Sequence, residues 1–138
     1  MKQRLSDAFR KKCYTFIKTH YQRVDFAKLV KPTIKAEFGK CHFNAVAAVY
    51  GGRADAVWLV WGGADTGAVH FINSKDGKFF DETWNYYENQ HYYIIRKVRP
   101  DEYENIGNVL NNCKQSLYNM FAGFIGKLVI GRNPDKWC

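Results

Sequence analysis

The sequence predicts an α+β domain, an antiparallel sheet with helices before and after it. Three observations predict it. Apolar residues recur at three- and four-residue steps near both ends of the chain, as in helices that bury one face. Between about residues 56 and 98 that period gives way to short apolar runs punctuated by glycines, the pattern of strands and hairpins. Ahead of this stretch, an Ala/Val-rich segment over 40–50 is stopped by Gly51-Gly52, as a helix would be.

The first helix is expected over 4–21, with Leu5, Ala8, Phe9, Cys13, Phe16 and Ile17 on its apolar face. A short helical continuation is expected over 24–30, with Asp25 as its cap, before Lys31-Pro32 breaks the chain. The second helix starts near Lys40 and Cys41 and runs through Phe43, Ala45, Val46, Ala48 and Val49. Strands are expected over 56–61, 68–73, 78–83 and 91–98, following one another as a meander. Ser74-Lys75-Asp76-Gly77 makes the hairpin between the second and third of these. Either all four residues form the loop, or Asp76-Gly77 alone makes a two-residue turn. Pro100-Asp101-Glu102 opens a last helix, with proline and acids where a helix start favours them. Ile106, Val109, Leu110, Cys113, Leu117, Met120, Phe121, Phe124 and Ile125 form its apolar face. The tail over 132–138 is polar apart from Trp137, which could dock.

At 138 residues the chain is the size of one domain, 1–138. Its 46% hydrophobic and 17% aromatic content supplies a core and excludes disorder of the whole chain. The longest apolar stretch, over 117–130, is broken by Asn119 and Lys127, so no spanning helix is expected. No secretory leader is expected either, because the first residues lack an apolar run. None of the four cysteines has CxxC spacing, which argues against zinc and points to free thiols in a reducing cytoplasm. No metal and no cofactor are expected. The net charge of +8 suits nucleic acid or an acidic partner without choosing between them. Nothing in the sequence sets the oligomeric state.

Three residues carry potential chemistry together. Cys41 stands at a helix start, where unpaired N–H groups and the helix dipole favour a thiolate and can hold an oxyanion. His70 lies in a strand, and Asp81 lies across the hairpin from it. In either register of the turn the imidazole and carboxylate share one sheet face within reach, as opposite or diagonal neighbours. A carboxylate on one ring nitrogen leaves the other to act as a base. A helix packed on the sheet could aim Cys41 at His70, giving a nucleophile, a base and an orienting acid.

The segments GKCHFNA and VHFINSKDGKFFDETW resemble the transglutaminase-like and papain-like cysteine hydrolase superfamily. The likeness covers roughly residues 38–84 and suggests a small stand-alone bacterial or phage domain. It rests on a Cys at a helix start, a His in a strand and a D-x-T after a hairpin, here Cys41, His70 and Asp81-Glu82-Thr83. The resemblance implies a papain-like core and cysteine chemistry on an amide: a peptide, an isopeptide, a Gln side chain or a cell-wall amide. The Trp that often follows the D-x-T in such proteins is Trp84 here, which could shield the His–Asp bond from water or simply be core. Papain-like members also use an upstream Gln as an oxyanion donor. The last Gln before Cys41 is Gln22, far upstream, and Tyr21, Lys35 or Lys40 could stand in for it.

Around this set, His42 points about 100° away from Cys41 on the helix, toward structure or substrate. Asn44, one turn on, could hydrogen-bond the hairpin, and Asn73 should face the side of its strand opposite to His70. Cys13 and Cys113 fall on apolar helix faces, and Cys138 is terminal. The tyrosines at 86, 87, 92 and 93 beside Trp84 could line a groove or stack bases. The other class of function is a small basic binding protein for nucleic acid or an acidic host protein, on the same fold without catalysis.

Overall fold

The computed structural model describes residues 2–84 and 91–121. The elements are α1 (Lys2–His20), β1 (Gln22–Arg23), α2 (Cys41–Tyr50), β2 (Ala56–Gly62), β3 (Ala68–Lys75), β4 (Lys78–Phe80), β5 (Tyr92–Val98) and α3 (Ile106–Phe121). The result is an α+β fold with an antiparallel five-stranded sheet in the order β1-β5-β2-β3-β4. Phe124, Ile125, Trp137, Cys138 and the tyrosines at 86 and 87 lie outside the described residues.

The strands are not a meander. β5 does not pair with β4 but returns to the other edge of β2, with Val57 opposite Val98 and Gly62 opposite Tyr92. The reason lies in β2 (AVWLVWG), which is buried on nearly every residue and so needs a neighbour on each side. A register shift between Leu59 and Val60 marks an irregularity in the β2–β5 pairing. The two-residue β1, not expected from the sequence, extends the sheet by pairing Gln22 with Ile94.

The β3–β4 hairpin takes the tighter of its two possible registers. Lys75 pairs with Lys78, so Asp76-Gly77 alone makes the turn. Both residues have positive φ, 52° and 78°, as a two-residue turn matching strand twist demands. β4 is also shorter than expected: after Phe80 the chain leaves the ladder, and Asp81, Glu82 and Thr83 form a turn. The expected short helix is a single 3-10 turn, Phe26–Lys28, with Asp25 accepting from the Ala27 N–H at 3.0 Å. Pro100–Asn105 likewise forms a 3-10 turn before α3 begins at Ile106.

Helices cover one sheet face. Phe9, Cys13 and Ile17 of α1, Cys41, Ala45 and Val46 of α2, and Ile106, Val109, Leu110 and Leu117 of α3 pack with Val57, Leu59, Val69 and Phe71. Strand alternation sends Val60 and Ile72 to the opposite face, where they meet Val24 and Tyr92. Asn73 points to the helix side, as its parity requires, and donates to the carbonyls of Ala45 (2.8 Å) and Ala56 (3.1 Å). That amide pins the depth at which α2 sits on the sheet. No helix among the described residues is long and apolar enough to cross a membrane.

Candidate active site

His70 and Asp81 meet as the spacing requires. Nε2 of His70 lies 2.8 Å from Oδ2 of Asp81, and both side chains are buried. With Asn73 opposite Phe80, Asp81 falls one step past the end of β4 on the face of Ile72, so His70 is its diagonal neighbour. Four donors converge on the carboxylate. Oδ2 accepts from His70 Nε2 and from the Tyr92 hydroxyl at 2.6 Å, and Oδ1 accepts from the backbone N–H groups of Thr83 (3.0 Å) and Trp84 (3.1 Å). Burial pushes the Asp81 carboxyl up, but the charge of His70 and the bonds from His70, Tyr92 and Trp84 outweigh it, and the net direction is down. The carboxylate is therefore ionised and accepts only, so Nε2 carries a proton toward it; in the neutral ring the lone pair then lies on Nδ1. Nδ1 is buried and makes no hydrogen bond.

Trp84 stacks on the imidazole, with centroids 3.8 Å apart and planes 9° from parallel. Gly62 makes room for it: a Cβ there would stand 2.5 Å from Cζ3 and 2.8 Å from Cη2 of Trp84. The indole covers one face of the imidazole beside the His–Asp bond.

The Asp-Glu-Thr turn also reaches to the other side, toward α2. Thr83 Oγ1 accepts from Asn44 Nδ2 at 3.0 Å, and Asn44 also donates to the Glu37 carbonyl at 2.7 Å. Glu82, buried, receives Arg53 in a two-pronged pair at 3.0 and 3.1 Å, and its carbonyl accepts from the Ala36 N–H at 2.8 Å. Three successive residues thus tie His70 on β3 to the segments just before, inside and just after α2. Asn44 bonds the hairpin extension as its position allows.

Cys41 is the first residue of α2 and is fully buried. It belongs to the cluster between helices and sheet that holds Val69 and Phe71, whereas His70 sits among Trp84 and Tyr92 on the other side of β3. Cys41 is disulfide-bonded, against the expectation of free thiols. Cys13 and Cys113 are free, and Cys138 lies outside the described residues. Burial pushes the thiol of Cys13 up to about 12 and that of Cys113 up to about 11, so both are poor nucleophiles, as core residues should be. Cys113 is only half-buried.

The remaining candidates lie apart from the imidazole. His42 is half-buried and its ring packs on Phe43 with centroids 4.1 Å apart. Gln22 is exposed on β1, separated from β3 by β5 and β2, so the structure does not bring it to His70. Lys40 pairs with Glu37 at 3.2 Å, and Lys35 is exposed. Tyr92 is the participant the sequence reading undervalued. It sits in a tyrosine-rich stretch, and only the return of β5 beside β2 brings its hydroxyl to Asp81. Among the described residues no cluster of His, Cys, Asp or Glu could hold a metal ion.

In comparisons with known proteins, no family model, no curated protein and no solved structure matches this chain.

Proposed function

We propose that the protein is a cysteine-dependent hydrolase or acyltransferase acting on an amide, on a transglutaminase-like or papain-like core. The observation that carries this reading is the buried His70–Asp81 pair, which leaves Nδ1 with a lone pair and no partner. A histidine oriented by a carboxylate and open at its second nitrogen is a general base awaiting a proton donor. The Asp-Glu-Thr turn ties the base to the helix that Cys41 begins, and the reading requires Cys41 to come round from the opposite face of β3 once its disulfide is opened. In the reaction Nδ1 takes the thiol proton, the thiolate adds to the amide carbonyl, and first-turn N–H groups of α2 face the developing oxyanion. Collapse expels the amine with the proton from Nδ1 and leaves a thioester. Water then gives hydrolysis, and a second amine gives acyl transfer. Substrates in this reading are peptide, isopeptide, Gln side-chain or cell-wall amides. The disulfide must first be reduced by a thiol reductant, which returns Cys41 to its thiol.

The test is alkylation of the reduced, folded protein with iodoacetamide. Cys41 should react first among the cysteines, and His70→Ala should slow it by about tenfold or more. Equal labelling of Cys41 and Cys13, or a Cys41 rate indifferent to His70→Ala, refutes the reading.

A second reading is favoured by one observation: Cys41 and His70 are both 0% exposed. A sealed cysteine and histidine suit a basic binding protein that keeps the fold without turnover. Its net charge of +8 would then hold nucleic acid or an acidic protein, with affinity falling steeply as salt rises.

A further inference from the structure

We infer that Tyr92 is a positioning residue of this site: its hydroxyl and Trp84 clamp the Asp81 carboxylate and the His70 ring into a single geometry. The inference rests on the catalytic reading of His70 and Asp81 and adds to it a fourth and a fifth member. The two protons that reach Oδ2 come from different strands, His70 from β3 and Tyr92 from β5, with the carboxylate between them. Oδ1 is held from the turn itself by two backbone N–H groups. A carboxylate gripped at both oxygens from three directions cannot rotate about its χ2, so the hydrogen bond it offers Nε2 has one direction. The imidazole is then confined in its second degree of freedom, ring rotation, by the indole of Trp84 on its face and by Tyr92 beside both rings, 6.5 Å from the imidazole and 6.4 Å from the indole. The plane in which Nδ1 points is fixed before any substrate arrives.

Tyr92 suits the task because an acceptor-only carboxylate can take nothing from it but its O–H. Burial and the neighbouring carboxylate push its phenol well above the ordinary tyrosine range, so it stays protonated across all working pH. Among the described residues, Asp81 from the turn after β4, His70 from β3 and Tyr92 from β5 are bonded into this cluster; β2 supplies Val60 and β3 also supplies Ile72, neither of which titrates. Gly62, opposite Tyr92 in the β2–β5 ladder, completes the device: a Cβ there would stand 3.3 Å from Cε1 of Tyr92 as well as colliding with Trp84. One glycine thus admits both aromatic rings of the clamp.

The experiment is Tyr92→Phe in the full chain, read in two ways. Carbon-13 NMR of labelled aspartate should show the Asp81 carboxyl titrating higher by about one pH unit, since a hydrogen bond to a charged group is about a tenfold effect. Tyr93→Phe, a phenol lost from the next position on β5, should leave that titration in place. The second readout is the iodoacetamide rate at reduced Cys41, which should fall about tenfold as Asp81 and His70 loosen. An Asp81 titration unmoved by loss of the hydroxyl overturns the positioning role, whatever Cys41 does. A shifted Asp81 with a Cys41 rate that ignores both Tyr92→Phe and His70→Ala keeps the clamp and sinks the catalytic reading. Should Tyr92→Phe not fold, the wild-type Tyr92 hydroxyl proton provides the test: it should appear as a slowly exchanging, downfield resonance, and a fast-exchanging hydroxyl overturns the clamp.

Discussion

Replacing Asp81 by Asn removes one charge and almost no volume, yet the structure predicts a large effect. Both carboxylate oxygens are acceptors, each facing two donors. An asparagine has only one oxygen. If it faces the backbone N–H groups of Thr83 and Trp84, its NH2 must face the imidazole and the phenol. Nε2 can receive that amide only by giving up its proton, so the tautomer flips and the proton moves to Nδ1. The Tyr92 hydroxyl can accept from the amide but then leaves its own proton unpaired in a buried site. Two charge-assisted bonds are lost and one buried O–H is orphaned, a cost of about 2–4 kcal/mol. For a domain of this size that corresponds to a melting temperature lower by roughly 6–15 °C. Thermal unfolding at pH 7 measures the first quantity. Nitrogen-15 NMR of the histidine ring measures the second, with Nε2–H in the wild type and Nδ1–H in the variant. Cys41 alkylation should fall with the tautomer, because the base atom is then blocked. Unchanged stability together with an unchanged tautomer would refute the four-donor account of the site.

Other expectations are simpler to state. Gly62→Ala should displace Trp84 from the imidazole, because its Cβ would stand 2.5 Å from Cζ3, and should cost about 1–3 kcal/mol. Near-UV circular dichroism and thermal unfolding check it, and a variant with native spectrum and stability would show that the indole is not held. The pH dependence follows from Asp81, whose folded carboxyl lies below its ordinary value. Its stabilisation is complete above the unfolded carboxyl value of about 4 and is lost as pH falls through the lower folded value. Acid titrations should accordingly show a steeper loss of stability below about pH 4 in the wild type than in Asp81→Asn, and equal slopes would remove Asp81 from the acid limb.

What the sequence made legible is what depends on short separations. Cys41 at the first turn of a helix, His70 and Asp81 on one face across a hairpin, and Asn73 facing away all follow from a helical or two-residue period. They hold because neighbouring residues decide them. The register of the hairpin stayed open between two turns, since Ser74-Lys75-Asp76-Gly77 satisfies the chemistry of both. The path of β5 was misread because adjacency in sequence suggests a meander. The almost wholly buried β2 instead recruits β5 across the sheet, through packing on both edges that no local pattern encodes. The Tyr92–Asp81 bond depends on that path and was hidden with it. So was the double role of Glu82 and Thr83: the D-x-T spacing marks Asp81, but nothing in it reveals that the next two side chains hold Arg53 and Asn44.

The strand order sets a sequence of assembly for the nascent chain. β2, β3 and β4 are joined by short connections and can pair once residue 81 has emerged from the ribosome, bringing Asp81 beside His70. β1, by contrast, waits for β5, some seventy residues further along the chain, before Gln22 finds Ile94. Long closures of this kind are slow compared with hairpin zipping. A partly made chain would therefore hold a loosely paired His70 and Asp81 with Tyr92 still absent. The arrival of β5 would be the step that turns a flexible contact into a rigid one. Truncated products would then carry His70 and Asp81 without the Tyr92 bond that fixes them.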